Sequence, residues 1–168
     1  APAADLTALL RSHLDDVSGV TIGAYAFSAY AAVYADRGAR LDTILTPGAE
    51  RILPRMNRLC LLTDLSELHR IAAPVVGDFV SADPSEVEPW ATLLRENSAG
   101  SAALGAPLFV AQGTSDRLVL PDDTEDFLEL ERSLGTEVAY RPIEFADHGT
   151  IAYLSLPALV EWLDAHGV

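Results

Sequence analysis

The chain has 168 residues, 49% of them hydrophobic, the size and composition of one globular, soluble domain with enough apolar material for a core. The 25 acidic residues against 11 basic ones give a net charge of −14, so nucleic acid and anionic membrane surfaces are repelled over much of the surface. The single cysteine, Cys60, rules out an intrachain disulfide and leaves pairing with a cysteine on another chain or segment open.

The chain opens at Ala1 with neither methionine nor an apolar leader, which reads as mature, processed or excised from something longer. From Asp5 to about Asn97 the pattern is helical. "DLTALLRSHL" starts on an aspartate cap, and "LDTILTPGAERILPRMNRLCLLTDLSELHR" returns apolar residues at intervals of three and four. "GVTIGAYAFSAYAAVYA", Gly19 to Ala35, is shorter than the roughly 20 residues that cross a bilayer and predicts a buried helix. Pro47-Gly48, Pro54, Pro74 and Gly77 are expected to break this half into short helices, and "SADPSEVEP" to form a polar loop before Trp90. No internal repeat or low-complexity segment is present.

After the small-residue connector "NSAGSAALGAP", the run "PLFVAQG" predicts a buried strand. "PDDTEDFLELERSLG" predicts a helix with acids in its first turn, Phe127, Leu130 and Leu134 inward, and Gly135 as terminator. "TEVAYRPIEF" predicts a second strand whose Pro142 suits an edge or a bulge, and "SLPALVEWLDAHGV" a last helix with Leu156, Leu159, Val160 and Leu163 inward. Strand, helix, strand, helix is a parallel α/β unit. Two strands cannot bury both faces of a parallel sheet, so further strands are expected from another polypeptide or from an upstream part of the same protein.

In open parallel sheets the functional crevice lies beyond the carboxyl ends of the strands, where Asp116 and His148 both fall. A histidine acting as base toward a hydroxyl needs a carboxylate on its other ring nitrogen, and Asp116 can supply it. Alone, such an aspartate can simply cap a turn and such a histidine can be a loop residue; the strand–helix–strand frame favours the catalytic pairing. Competing acids are Glu144 and Asp147, close to His148, and Asp122 and Asp123, which look like helix N-terminal residues. His13, His69 and His166 lie in helical patterns as solvated or core residues.

"PLFVAQGTSDRLV" followed by "VAYRPIEFADHG" resembles the last two strands of an α/β-hydrolase, with the triad acid in the first motif and the triad histidine in the second. With the opening "APAADLTALL" and the long helical insertion behind it, the chain resembles the secretory lipase family, lipase-A-like branch. The resemblance implies the C-terminal part of an α/β-hydrolase: residues 1–12 following a core strand, 13–97 a helical cap or lid, and 98–168 the core that carries Asp116 and His148. It also implies a carboxylic ester hydrolase, most specifically a secreted triacylglycerol lipase without cofactor.

In that fold the triad runs Ser, Asp, His, with the serine in a G-x-S-x-G elbow, and no such elbow occurs here. Ser18 and Ser28 lie in the helical half, Ser115 precedes Asp116, and Ser155 follows the His148 loop. The nucleophile and oxyanion donors are therefore expected from an N-terminal part of the same hydrolase, and the 168 residues alone are expected to be inactive. Tyr25, Phe27, Tyr30 and Phe79 are candidates to line an acyl-binding surface under the cap, against their alternative use as core. No zinc, haem or calcium spacing appears. Cys60 could pair upstream in a secreted enzyme. The rival readings are a non-catalytic interaction module on a partial α/β unit, and a non-lipolytic carboxylesterase or peptidase of the same superfamily.

Overall fold

The structure, a computed structural model, describes residues 3–167. It is a mixed α/β protein, with eight helices and one two-stranded parallel sheet among the described residues. The chain divides into two units, Leu10–Asn97 and Ser98–Val168 together with Ala1–Leu9. The boundary falls inside the first helix, α1 (Leu6–His13), whose start is capped by Asp5: Oδ1 accepts the Thr7 and Ala8 N–H groups at 2.8 and 3.1 Å. At the other boundary the chain comes back beside this start. The Ala99 N–H donates to the Ala4 carbonyl at 2.8 Å and the Leu6 N–H to the Ser98 hydroxyl at 3.0 Å.

The Leu10–Asn97 unit is helical: α2 (Val17–Val33), α3 (Pro47–Met56), α4 (Leu65–Ala72) and α5 (Trp90–Glu96), with short 3₁₀ turns after α2 and α4. α2 begins where Asp16 accepts the Gly19 N–H at 2.8 Å, and α3 where the Thr46 hydroxyl accepts the Ala49 N–H at 3.2 Å with Pro47 in its first turn. α2 buries one side only, Val20, Thr21, Gly23, Ala24 and Phe27, while Val33 stands 69% exposed. Gly23 lets the helix approach Phe79, whose ring would lie 3.0 Å from an added Cβ. Leu53, Met56, Leu68, Ile71 and Leu93 complete the core, and the Trp90 indole, fully buried, donates to the Thr43 hydroxyl at 3.0 Å. Pro54 does not break its helix, contrary to expectation. It lies in the last turn of α3, where only the Glu50 carbonyl loses a partner, and the helix stops two residues later.

In the other unit β1 (Leu108–Gly113) pairs in parallel with β2 (Val138–Ile143), in register from Leu108 opposite Val138 to Gly113 opposite Ile143. α6 (Pro121–Ser133) makes the crossover, and α7 (Ile151–Leu154) and α8 (Leu156–Ala165) follow β2. Gln112 and Tyr140 identify the sheet face under α6: Gln112 Oε1 accepts from the Thr124 hydroxyl at 2.8 Å, and the Tyr140 hydroxyl donates to Glu125 at 3.2 Å. Phe109 points the other way, 5.7 Å from the Trp162 ring of α8. Pro142 sits on β2, which has no second neighbour among the described residues, the place where its missing N–H costs no ladder bond.

Two inward faces differ from the expected ones. On α6 the buried residues are Thr124, Leu128 and Glu131, whereas Leu130 and Leu134 are exposed. Thr124 goes inside on Gln112, whereas only one oxygen of Glu131 is met there: Oε2 accepts from the Thr136 hydroxyl at 2.7 Å, and the buried Oε1 has no partner among the described residues. On α8 no residue is fully buried; Leu156 and Val160 are half exposed, and the sheet side is taken by Trp162 with Leu159 and Leu163. The Trp162 indole meets the Phe109 ring on that side.

Candidate functional site

The carboxyl ends of β1 and β2 are tied together residue by residue. The Thr114 N–H donates to the Ile143 carbonyl at 3.1 Å, the Ser115 N–H to the Ala146 carbonyl at 2.9 Å, and the Phe145 N–H to the Thr114 hydroxyl at 3.0 Å. Glycine is required at 113, because an added Cβ would stand 2.3 Å from the Ala146 carbonyl oxygen. Phe145 takes a left-handed conformation, φ 63°, that turns the chain so that Ala146 is buried while its own ring stays 86% exposed.

Beyond Gly113 the chain folds on the Asp116 side chain. The Asp116 N–H returns to the Gly113 carbonyl at 3.1 Å, and Oδ1 accepts the Leu118 and Val119 N–H groups, both at 2.9 Å. Oδ2 receives His148 Nδ1 at 2.9 Å. The Asp116 side chain is 0% exposed and that of His148 44% exposed. The carboxylate is thus fully enclosed, with both oxygens engaged, while the imidazole leans out. Donation from Nδ1 leaves Nε2 with its lone pair, and no partner of Nε2 occurs among the described residues.

None of the competing acids bonds to His148 among the described residues. Asp147 closes the turn before α7 by accepting the Gly149 N–H, the Thr150 N–H and the Thr150 hydroxyl at 3.1, 2.8 and 2.7 Å, and these bonds, the hydroxyl first, hold its carboxyl below the usual carboxylate range. Asp122 and Asp123 lie in the first turn of α6, and Glu144 is exposed. The spacing Asp-x-x-Thr at 147–150 is the sequence signal that sets Asp147 apart as the residue closing this turn.

The chain contains a second His–carboxylate pair that the pattern of α1 did not reveal. His13, buried, meets Asp16 Oδ2 at 2.5 Å through Nδ1. Burial pushes the Asp16 carboxyl up, but the Gly19 N–H and His13 together outweigh it and the group lies below its ordinary range. Its position as the cap of α2, with the His13 carbonyl pressed against Gly19, marks it as structural. His166 lies against the Trp162 ring at 4.3 Å.

Of the four residues considered for an acyl-binding surface, Phe27 and Phe79 are 3% exposed and stack at 6.4 Å in the middle of the helical core. Tyr25 donates its hydroxyl to the Leu59 carbonyl at 2.9 Å and Tyr30 packs edge-on to Tyr34 at 5.4 Å. Phe27 and Phe79 therefore present no face to a ligand in this structure. Among the described residues no serine hydroxyl bonds to His148; Ser28 and Ser155 turn theirs back to the carbonyls of Ala24 and Ala152. Nor, among those residues, is any group of three His, Cys, Asp or Glu side chains placed to hold a metal ion. No helix is long and apolar enough to cross a membrane among them.

No protein-family model matches the chain, and no curated protein matches it.

Proposed function

We propose that this chain is the acid- and base-bearing part of a serine ester hydrolase, the C-terminal portion of an α/β-hydrolase fold. The observation that carries the reading is the Asp116–His148 hydrogen bond of 2.9 Å at the carboxyl edge of a parallel sheet, with the carboxylate enclosed and the far imidazole nitrogen free. A serine from an N-terminal part of the same hydrolase would present its hydroxyl to His148 Nε2. As its oxygen attacks the ester carbonyl, Nε2 takes the proton and the Asp116 carboxylate stabilises the resulting imidazolium. The proton then passes to the departing alcohol, and water repeats the cycle on the acyl-enzyme, releasing the acid and restoring the serine.

The resemblance to secretory lipases supports triacylglycerols as the substrate class, a secreted location and a cap role for the helical unit. The lack of a G-x-S-x-G serine supports inactivity of the 168 residues by themselves. The test is fluorophosphonate labelling of the protein from its natural source, with mass mapping of the adduct. The expected adduct is on a serine outside residues 1–168 and is lost in His148→Ala. Labelling that persists undiminished in His148→Ala, or that never occurs, overturns the proposal and favours an interaction module. Rates on long- against short-chain p-nitrophenyl esters separate a lipase from a carboxylesterase.

A further inference from the structure

Gln112 is the single polar side chain of β1, and it is fully buried one step before the loop of Asp116. Its amide is aimed at that loop. Nε2 donates to the Gly113 carbonyl and to the Val119 carbonyl, both at 3.1 Å, and Oε1 accepts from the Thr124 hydroxyl at 2.8 Å. Carbonyl oxygens take only donors, so these neighbours fix which end of the amide faces which way. Both donors and the oxygen are engaged, as burial of a primary amide demands.

The two carbonyls bracket the segment that carries Asp116: Gly113 opens it and Val119 closes it. Within the segment the bonds are short-range. Asp116 Oδ1 accepts the Leu118 and Val119 N–H groups, and the Asp116 N–H reaches back to the Gly113 carbonyl. These bonds give the loop its shape, and the Ser115 N–H, on the Ala146 carbonyl, ties its beginning to the neighbouring loop. The bond from Gln112 to Val119 does something else, because it returns the far end of the loop to β1. Where Oδ2 stands matters, since it must meet His148 Nδ1 at 2.9 Å from the next strand's loop, and such a bond weakens steeply once its geometry is lost.

We propose that Gln112 is a positioning residue for the Asp116–His148 pair: one buried amide clamps both ends of the Asp116 loop, and this sets where Oδ2 stands and hence which imidazole nitrogen of His148 keeps the proton. Its amide bonds to neither Asp116 nor His148 among the described residues, so it acts through the loop. Its use in catalysis rests on the ester-hydrolase reading, in which a proton held on Nδ1 leaves Nε2 bare to receive the serine proton. The placement of the pair needs neither serine nor ester, so the two can fail separately.

The test is nitrogen NMR of the neutral imidazoles in the 168-residue chain, where the chemical shift of each ring nitrogen reports whether it carries a proton and His148→Ala identifies the His148 signals. The unsubstituted chain should show His148 Nδ1 protonated and Nε2 bare. Gln112→Met, similar in size but without donors, should lose that pattern and give a mixture of the two tautomers. Thr124→Val removes the bond at Oε1, leaves the clamp in place and should keep the pattern. The double variant Gln112→Met/Thr124→Val strands no buried hydroxyl and is read in place of the single one if circular dichroism shows the latter unfolded. A pattern kept without Gln112, or lost equally in Thr124→Val, would overturn the proposal, as would rapid solvent exchange of the Gln112 side-chain amide protons in the unsubstituted chain. In the protein from its natural source, Gln112→Met should slow fluorophosphonate labelling about a hundredfold, the cost of a displaced catalytic group. Nε2 protonated in the unsubstituted chain would sink both readings, whereas the expected tautomers without any labelling would count against the hydrolase alone.

Discussion

Replacing Asp116 in two ways separates its structural from its chemical duties. Oδ1 is the acceptor for the Leu118 and Val119 N–H groups at 2.9 Å, and Val119 is only 6% exposed, so water has poor access to replace a lost partner. Asp116→Ala removes this acceptor and with it both bonds. A hydrogen bond to a charged group is worth about 1.5 kcal/mol at the low end, so two of them predict a loss of about 3 kcal/mol. Asp116→Asn keeps a carbonyl oxygen at the same place and should cost about 1 kcal/mol or less. His148→Ala removes the Nδ1–H donor from Oδ2, but the departing imidazole is itself 44% exposed, so water can enter in its place and the loss should be about 1 kcal/mol. Urea unfolding followed by far-ultraviolet circular dichroism and tryptophan emission measures all three. If Asp116→Asn were as damaging as Asp116→Ala, or His148→Ala lost about 3 kcal/mol, the loop would not be held by Oδ1 and the reasoning would be wrong.

Gly113→Ala places a methyl 2.3 Å from the Ala146 carbonyl and should destabilise by about 1–3 kcal/mol, read as a lowered melting temperature; an unchanged melting point would contradict the close approach. Phe145→Asn should raise stability by about 0.5–1 kcal/mol, since asparagine tolerates φ 63° better and the phenyl ring is 86% exposed; a loss would mean that the ring makes a stabilising contact. The Asp16 carboxyl titrates below its ordinary 3.8 in the folded chain, so unfolding takes up protons there in acid. Its contribution is therefore complete above pH 3.8 and fades as pH falls below it. Asp16→Ala should cost about 1 kcal/mol at neutral pH and progressively less in acid; a cost that stays constant through strong acid would show that the charge is immaterial to the cap.

The parallel α/β arrangement and the meeting of Asp116 with His148 were legible because both rest on local signals: apolar runs ending at Gly113 and Phe145, and one helix length between them. The faces of α6 and α8 were not, because hydrophobicity alone ranks Leu130 above Thr124 and Val160 above Trp162. In the fold, Gln112 on the neighbouring strand offers Thr124 a partner, and Phe109 offers Trp162 a ring, and these tertiary choices leave no trace in helical periodicity. Pro54 misled for a related reason: a proline near a helix end removes little, and the end itself is fixed by the turn at Asn57. The His13–Asp16 pair joins residues from the end of α1 and the cap of α2, a bend that no spacing rule marks.

The hydrogen bonds from Ala99 to Ala4 and from Leu6 to Ser98 have a practical meaning for how such a chain could be rebuilt. The strand pair that carries Asp116 and His148 sees the 88-residue detour of Leu10–Asn97 leave and return at adjacent points. To the rest of the backbone that detour is equivalent to a short loop. Its helices could be shortened, exchanged for another set or deleted behind a few linking residues, leaving the covalent path through the acid and the base undisturbed. Diversity in this region is then available as the swapping of a cassette rather than as the redesign of a domain.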